Sequence, residues 1–364
     1  MGNKKHGIIF KVFRFVLILV LAVVLLLVGM IGFLSITEYK PAERVSINVE
    51  NKADKTLSVG DSISVLSWNI GYGALGDNAD FFMDGGKSVM TATKERVNSN
   101  LDGIIGNVKN VDPDIILFQE TDISSTRSHK INEYEKFKNE LSGYSFSFAN
   151  NFKVAFLPYP VPPIGKVDSG IATASRFGVT DAERVQLPIP FSWPVRMANL
   201  KRCVLVSRIP IENSDKELVI FNLHLEAYDS GEGKIAQTKM LAELLKAETD
   251  KGNYVIAGGD FNQIFSSADK SAYPTYEGMW MPGEIDVSAF GSDFEFLMDE
   301  STPTCRSLDR AYAGADRQSF QYYLIDGFIV SNNLTVESVK TGNLGFVYSD
   351  HNPVLLKITL NSED

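Results

Sequence analysis

The chemistry-bearing residues of this 364-residue chain lie at the ends of apolar runs. In Tyr254 to Gln263, YVIAGGDFNQ, the β-formers Tyr254-Val255-Ile256 lead through Gly258 and Gly259 to Asp260 and Asn262. Two residues apart on an extended segment, that carboxylate and amide point the same way, as a general base and its orienting partner would. A strand ending in a solvated Asx turn is the plainer reading of the same residues. Four other apolar runs end in the same kind of chemistry: Asn69, Glu120, Asn222 with His224, and Asp350 with His351. Carboxylates and amides are hard oxygen donors suited to Mg²⁺ or Mn²⁺, and histidines beside them are donors for a phosphoryl oxygen. Taken singly, each of these residues could be a turn former, a cap or a surface charge.

The elements that must position them follow from periodicity. Ile63 to Ile70 alternates as a strand and breaks at Gly71-Tyr72-Gly73. Val97, Leu101, Ile104, Ile105 and Val108 recur at helical spacing, which predicts an amphipathic helix near 88–109 stopped by Asp112-Pro113. Residues 114–120 read as a second buried strand, 131–141 as a helix, and 146–176 as loops and short strands rich in proline and aromatics. Residues 202–207 and 218–225 read as an antiparallel pair, and 232–249 as a helix leading into the strand of Asp260. Residues 266–320 carry little pattern beyond short loops and one possible helix. Strands at 323–330, holding Asp326, and 348–358 close the chain. Alternating strands and helices indicate a layered α/β domain, and strand ends at one sheet edge are where ligands bind. The segment Leu187 to Met197, LPIPFSWPVRM, reads as a packed loop, a lid or a surface resting on lipid.

Composition narrows the function classes. Residues 1–34 carry Lys4, Lys5, Lys11 and Arg14 and no acid, so the remainder holds 31 basic against 45 acidic residues. A body that acidic has no general field for drawing in a polyanion, although it suits divalent cations. The two cysteines, Cys203 and Cys305, allow neither a disulfide framework nor a zinc cluster, and buried free thiols are expected. Phe15 to Leu34 is uncharged and apolar, and at about 1.5 Å per residue it spans roughly 30 Å, the hydrocarbon thickness of a bilayer. All flanking positive charge is N-terminal to it, which places residues 1–14 in the cytoplasm and the body outside the cell membrane as a single-pass protein. A cleaved signal peptide is the competing reading. Residues 35–61 read as a tether with one edge strand, and residues 62–364 as the folded domain.

In order along the chain, Ser67-Trp68-Asn69-Ile70, Gln119-Glu120, Asn222-Leu223-His224, Gly259-Asp260-Phe261-Asn262, Ile325-Asp326-Gly327-Phe328 and Ser349-Asp350-His351-Asn352-Pro353-Val354 resemble the signature blocks of the endonuclease/exonuclease/phosphatase superfamily. The resemblance implies a four-layer α/β sandwich of two mixed sheets with helices outside. It also implies roles. Glu120 would bind Mg²⁺ or Mn²⁺ with Asn69 beside it and Asp350 as a second acid. Asp260 would orient or deprotonate the attacking water, helped by Asn262. His224 and His351 would contact phosphoryl oxygens, and Asp326 would orient His351. Asn222 and Arg202 are candidates for holding substrate, and Arg306 could hold a phosphate too, though for both arginines a surface position is the stronger reading. One position departs from the abasic-site endonucleases of that superfamily: Gly71 stands where they carry an acid.

The expected function is hydrolysis of a phosphodiester, of nucleic acid or of a phospholipid headgroup or small diester, by a monomeric protein held to the membrane through its N-terminal helix. A phosphomonoesterase on an inositol-phosphate-like substrate would use the same site. A catalytically silent binding module on the same fold is the third possibility.

Overall fold

In the computed structural model residues 2–362 are described, with side chains from residue 7 onward. Lys4 and Lys5 of the basic start therefore lie outside the described side chains. The chain opens with a long helix, α1 (Gly2–Thr37), which extends past both ends of the apolar run. From Gly7 to Thr37 it is long and apolar enough to cross a membrane. The strands up to Asp260 are β1 (Arg44–Ser46), β2 (Ser62–Asn69), β3 (Ile115–Asp122), β4 (Ser145–Leu157), β5 (Gly165–Ser175), β6 (Asp181–Gln186), β7 (Cys203–Pro210), β8 (Glu217–His224) and β9 (Tyr254–Asp260). Helices α2 (Lys94–Val111), α3 (Glu133–Glu140) and α4 (Glu232–Thr249) complete the frame.

Two mixed sheets, of seven and six strands, form the centre. In the first, β7, β8 and β9 are neighbours, with β9 flanked by the antiparallel strand Asp326–Ser331. In the second, β2 pairs with β3 in parallel and with Val354–Leu360 antiparallel. Between the sheets pack Val65, Leu117, Ile220, Ile256, Phe328 and Leu356, all buried. Each such side chain contributes roughly 1.5–3 kcal/mol on leaving water, which is why these strands read as nearly continuous apolar runs. Outside, α2 and α3 lie on the second sheet, where Phe137 stacks on Phe118, and α4 covers the first through Leu241 and Leu245. This is the four-layer α/β sandwich.

The helix ends obey local chemistry. The Thr93 side chain accepts from the Arg96 N–H to start α2, and Asp112, at φ 54°, ends it before Pro113. Asn132 caps α3 in the same way through Glu135 N–H.

The structure differs from the sequence reading in four places. Residues 38–61 are not a free tether: β1 pairs with β6, Glu50 bridges Phe146, and Leu57 is fully buried against the body. Polar composition hid this, because the segment attaches mainly through backbone groups at a sheet edge. Residues 146–176 form a long hairpin of β4 and β5, not short strands. Bulges at Asn150/Phe152 and Val154/Leu157 broke its alternation, and its prolines gather in the turn between the strands. Residues 266–320 hold no α-helix, only 3₁₀ turns at Val287–Phe290 and Arg317–Ser319 and the short strands Gly283–Ile285, Phe294–Leu297 and Cys305–Arg306, of which Phe294–Leu297 edges the seven-stranded sheet. The last strand starts at Val354, after Pro353, so Asp350 and His351 lie on a loop. Cys203 and Cys305 are both buried free thiols.

Candidate active site

β2, β3, β8 and β9 bring their C-terminal parts to one rim, where the two sheets face each other. Register places His224 beside Asp260 on neighbouring strands and Asp260 opposite Asp326. Gly259 makes this close approach possible: at φ 149° it passes so near β8 that a Cβ there would lie 2.0 Å from the Leu223 carbonyl. The space that glycine opens is taken by neighbouring backbone, not by a ligand.

Asn69 is the hub. Its Nδ2 donates to Asp260 Oδ2 at 3.0 Å and Glu120 Oε1 at 3.3 Å, and lies 3.5 Å from His351 Nε2. Its Oδ1 accepts from Gly71 N–H. Asn69 thus turns its nitrogen to the carboxylates and its oxygen to the Gly71 N–H. Glu120 reaches the rim through a bulge in β3, where register shifts between Phe118 and Thr121 and Glu120 adopts φ 56°. Asn262, at φ 50°, and Tyr72, at φ 41°, are strained non-glycines there too, and the Asn262 N–H donates to Asp260 Oδ1 at 2.9 Å. Non-glycine residues held at positive φ cluster where function over-determines the backbone.

His351 Nδ1 lies 2.8 Å from Asp326 Oδ2, and its Nε2 lies 3.8 Å from Asp260 Oδ2. Burial disfavours a charged ring, yet the Asp326 carboxylate outweighs it and holds His351 well above the usual histidine range. His224, whose Nε2 lies 3.4 Å from the same Asp260 oxygen, has the opposite fate. Burial first, then Arg202 and His351, keep it well below that range, so it is neutral. Its Nδ1 has no hydrogen-bond partner among the described residues. Burial and the nearby Asp326 raise Asp260 to about 7, against the pull of His351 and the donors from Asn262 and Asn69. Asp350 is raised to about 6 by burial and by Glu120. The buried Asp350 carboxylate, raised in part by the half-buried Glu120 beside it, fits with Glu120 a divalent cation, whose charge would compensate both. Gly71 leaves room for this: a Cβ there would sit 2.8 Å from Asp350 Oδ1.

The structure therefore gathers Asn69, Glu120, His224, Asp260, Asn262, Asp326, Asp350 and His351. It does not bring Asn222 to the rim. Two residues below His224, Asn222 is fully buried between the sheets, bonded to Gln119, the Ala172 carbonyl and Thr173. It ties one sheet to the other, so its expected substrate role is corrected. Arg202 and Arg306 line the cleft but neither is a surface residue. Arg202 pairs with Glu226 at 3.3 Å, and Arg306 donates to the carbonyls of Gly76 and Ser307.

Sequence reasoning missed three contributors. Arg127 pairs with Asp122 at the end of β3 and stacks 3.7 Å over the Tyr72 ring. Asp84, raised to about 7 chiefly by burial, accepts from the Tyr228 hydroxyl across the cleft mouth. Trp280 donates to the Ala227 carbonyl in the cleft wall. All three sit on loops; only Arg127, five residues after an acid at a strand end, left a trace in the sequence.

The comparisons agree with this geometry. The sequence model of the Endonuclease/Exonuclease/phosphatase family matches residues 66–351. No curated protein matches. Among solved structures, an endonuclease/exonuclease/phosphatase from Beutenbergia cavernae is similar at TM-score 0.56 and 16% identity, covering 83% of this chain and 72% of that one. ANGEL2, a 2',3'-cyclic phosphatase, in complex with adenosine-2',3'-vanadate, aligns at TM-score 0.53 and 14% identity, covering 87% of this chain and 99% of that one. The human Nocturnin catalytic domain, with bound sulfate, aligns at 0.50 and 17%, covering 86% and 98%. At these identities the structural likeness establishes the fold, and the family match carries the rest: the chain belongs to the endonuclease/exonuclease/phosphatase family of metal-dependent phosphoesterases.

Proposed function

We propose that this chain hydrolyses a phosphodiester from outside the membrane that α1 crosses, with its N-terminus in the cytoplasm and Mg²⁺ or Mn²⁺ held by Glu120 and Asp350. The observation that carries this reading is the Asp260 carboxylate. It is buried, raised to about 7, and within 4 Å of Asn69 and both histidines. A carboxylate tuned close to neutrality is suited to taking a proton from water, with Asn69 and Asn262 fixing its lone pairs. His351, kept protonated by Asp326, supplies a positive donor for a non-bridging phosphoryl oxygen. His224, neutral and with a free ring nitrogen, adds an uncharged hydrogen bond. The cation, when bound, stabilises the charge that develops on the phosphoryl group.

The test is release of product from DNA, RNA, phospholipids and a chromogenic diester by the full chain with Mg²⁺ or Mn²⁺. Loss of activity in EDTA and its return with Mg²⁺ support the reading, and activity that persists in EDTA overturns the metal's role. Release of free phosphate alone from an inositol phosphate, with all diesters inert, would instead establish a monoesterase.

A further inference from the structure

The site floor opens into a cleft of about 690 Å³ whose walls are chemically unlike that floor. Beyond Asp260 and His351 the lining turns apolar, through Phe82, Val89, Phe152, Leu157 and Ile164, and it ends at Leu34 of α1. The same side chains knit the membrane helix to the body. Met30 and Leu34 pack with Phe152, Leu157 and Met197, while Phe152 and Leu157 also pack with Val89 and Ile164. Polar contacts hold the helix end there: Ser35 Oγ lies 2.9 Å from Met197 Sδ, and Glu38 pairs with Arg196 at 3.0 Å and Lys201 at 3.4 Å. One continuous apolar surface thus runs from the membrane helix to the reacting groups. Around its mouth stand large side chains with nothing over them: Tyr159 is 70% exposed, Val161 93%, Trp193 57% and Val195 57%. Aromatic and aliphatic residues on loops beside the end of a spanning helix are the chemistry of a headgroup interface.

The charges point the same way. Among the described residues lining the cleft, the arginines are Arg127, Arg202 and Arg306, and Asp122, Glu226 and backbone carbonyls already engage them. A track for a polyanion needs free cations along its length. This cleft offers apolar length instead.

We infer that the substrate is a lipid phosphoester drawn from the bilayer beside α1, its hydrocarbon chain lying along Leu157, Phe152 and Ile164 while its phosphate reaches Asp260 and His351. This rests on the phosphodiesterase reading above and names its substrate class.

The experiment holds the leaving group constant and varies only the hydrocarbon. Full-length protein in nanodiscs is given methyl, octyl and hexadecyl p-nitrophenyl phosphodiesters with Mg²⁺, the first two below any micelle concentration. kcat/KM is expected to rise about 100-fold from methyl to octyl, a fraction of what full burial of seven methylenes could supply. Leu157→Glu should bring the octyl-to-methyl ratio to within about threefold of one. A flat series in the wild type, or single-stranded DNA cleaved with a higher kcat/KM than the octyl ester, overturns the lipid assignment and leaves the phosphodiesterase reading standing. If no ester is cleaved, that reading falls, and the cleft is judged by binding of hexadecyl phosphate, read from tryptophan fluorescence. Binding weakened about tenfold by Leu157→Glu supports a hydrocarbon site, and no binding removes it.

Discussion

β8 ends in two different electrostatic worlds. At its start, Glu217 shares Arg208 with Glu248 of α4, at 2.9 and 2.6 Å, and Lys251 and Asn253 complete the shell around Glu248. Despite burial, those partners hold Glu248 down at about 2 and Arg208 above its ordinary range. At the other end His224 is kept neutral, Asp260 and Asp350 are pushed up, and among the described residues one polar atom each of His224 and Asp326 lacks a partner. The same two layers thus carry one pole where charge is balanced for stability and another where it is left unbalanced. Unreconciled charge in a cleft is what a substrate phosphate and a cation would complete.

The largest expected effect breaks the reactive pole. Asp260→Asn keeps the shape but removes the proton acceptor, and its single amide oxygen can accept from Asn69 or from the Asn262 N–H but not both, so kcat/KM on whichever diester proves active should fall at least about 10³-fold, or about 4 kcal/mol. Thermal stability should change little, because relief from keeping a buried carboxylate ionised offsets the one hydrogen bond that the amide cannot accept. A Tm that drops with the rate would make Asp260 part of the scaffold instead.

The reactive pole was largely legible in the sequence, and the reason is geometric. Asn69, His224 and Asp260 close strands with strong apolar patterns, so the period that marks the strand also marks where its last polar side chain points. Glu120 was legible as a residue but not as a conformation, since nothing in Gln119-Glu120 announces the bulge and positive φ that aim it. The apolar wall was not legible. Phe82, Val89 and Leu157 come from loops and from a strand interrupted by bulges, with no period to read, and they meet Leu34 only in three dimensions. Arg202 and Arg306 were misplaced at the surface because their partners, Glu226 and distant carbonyls, leave no local trace.

Between the poles, Asn222 separates structure from chemistry. It shares a strand face with His224 yet satisfies Gln119, Ala172 and Thr173 on the opposite sheet. Asn222→Ala removes the buried hydrogen bonds it makes with Gln119, the Ala172 carbonyl and Thr173, which costs about 1–3 kcal/mol. Chemical denaturation should show that loss while kcat in the surviving folded fraction stays within about threefold of wild type. A 10²-fold fall in kcat without a stability change would restore Asn222 to the site.

The smallest effect sharpens the balanced pole. A carboxylate whose folded-state value lies below its unfolded one contributes stability above the unfolded value and loses it as pH falls toward the folded one. For Glu248 that window runs from the ordinary carboxylate range down to about 2. Glu248→Gln should therefore melt lower than wild type at pH 6, by roughly 2 °C given that part of the pair is screened by solvent. The gap should narrow as pH falls below about 5 and close only near pH 2, where the folded wild type loses the charge that distinguished it. Activity per folded molecule should not follow that curve, since Glu248 lies at the far end of β8 from Asp260. A gap that widens in acid would mean that the Arg208 cluster is held by something other than the Glu248 charge.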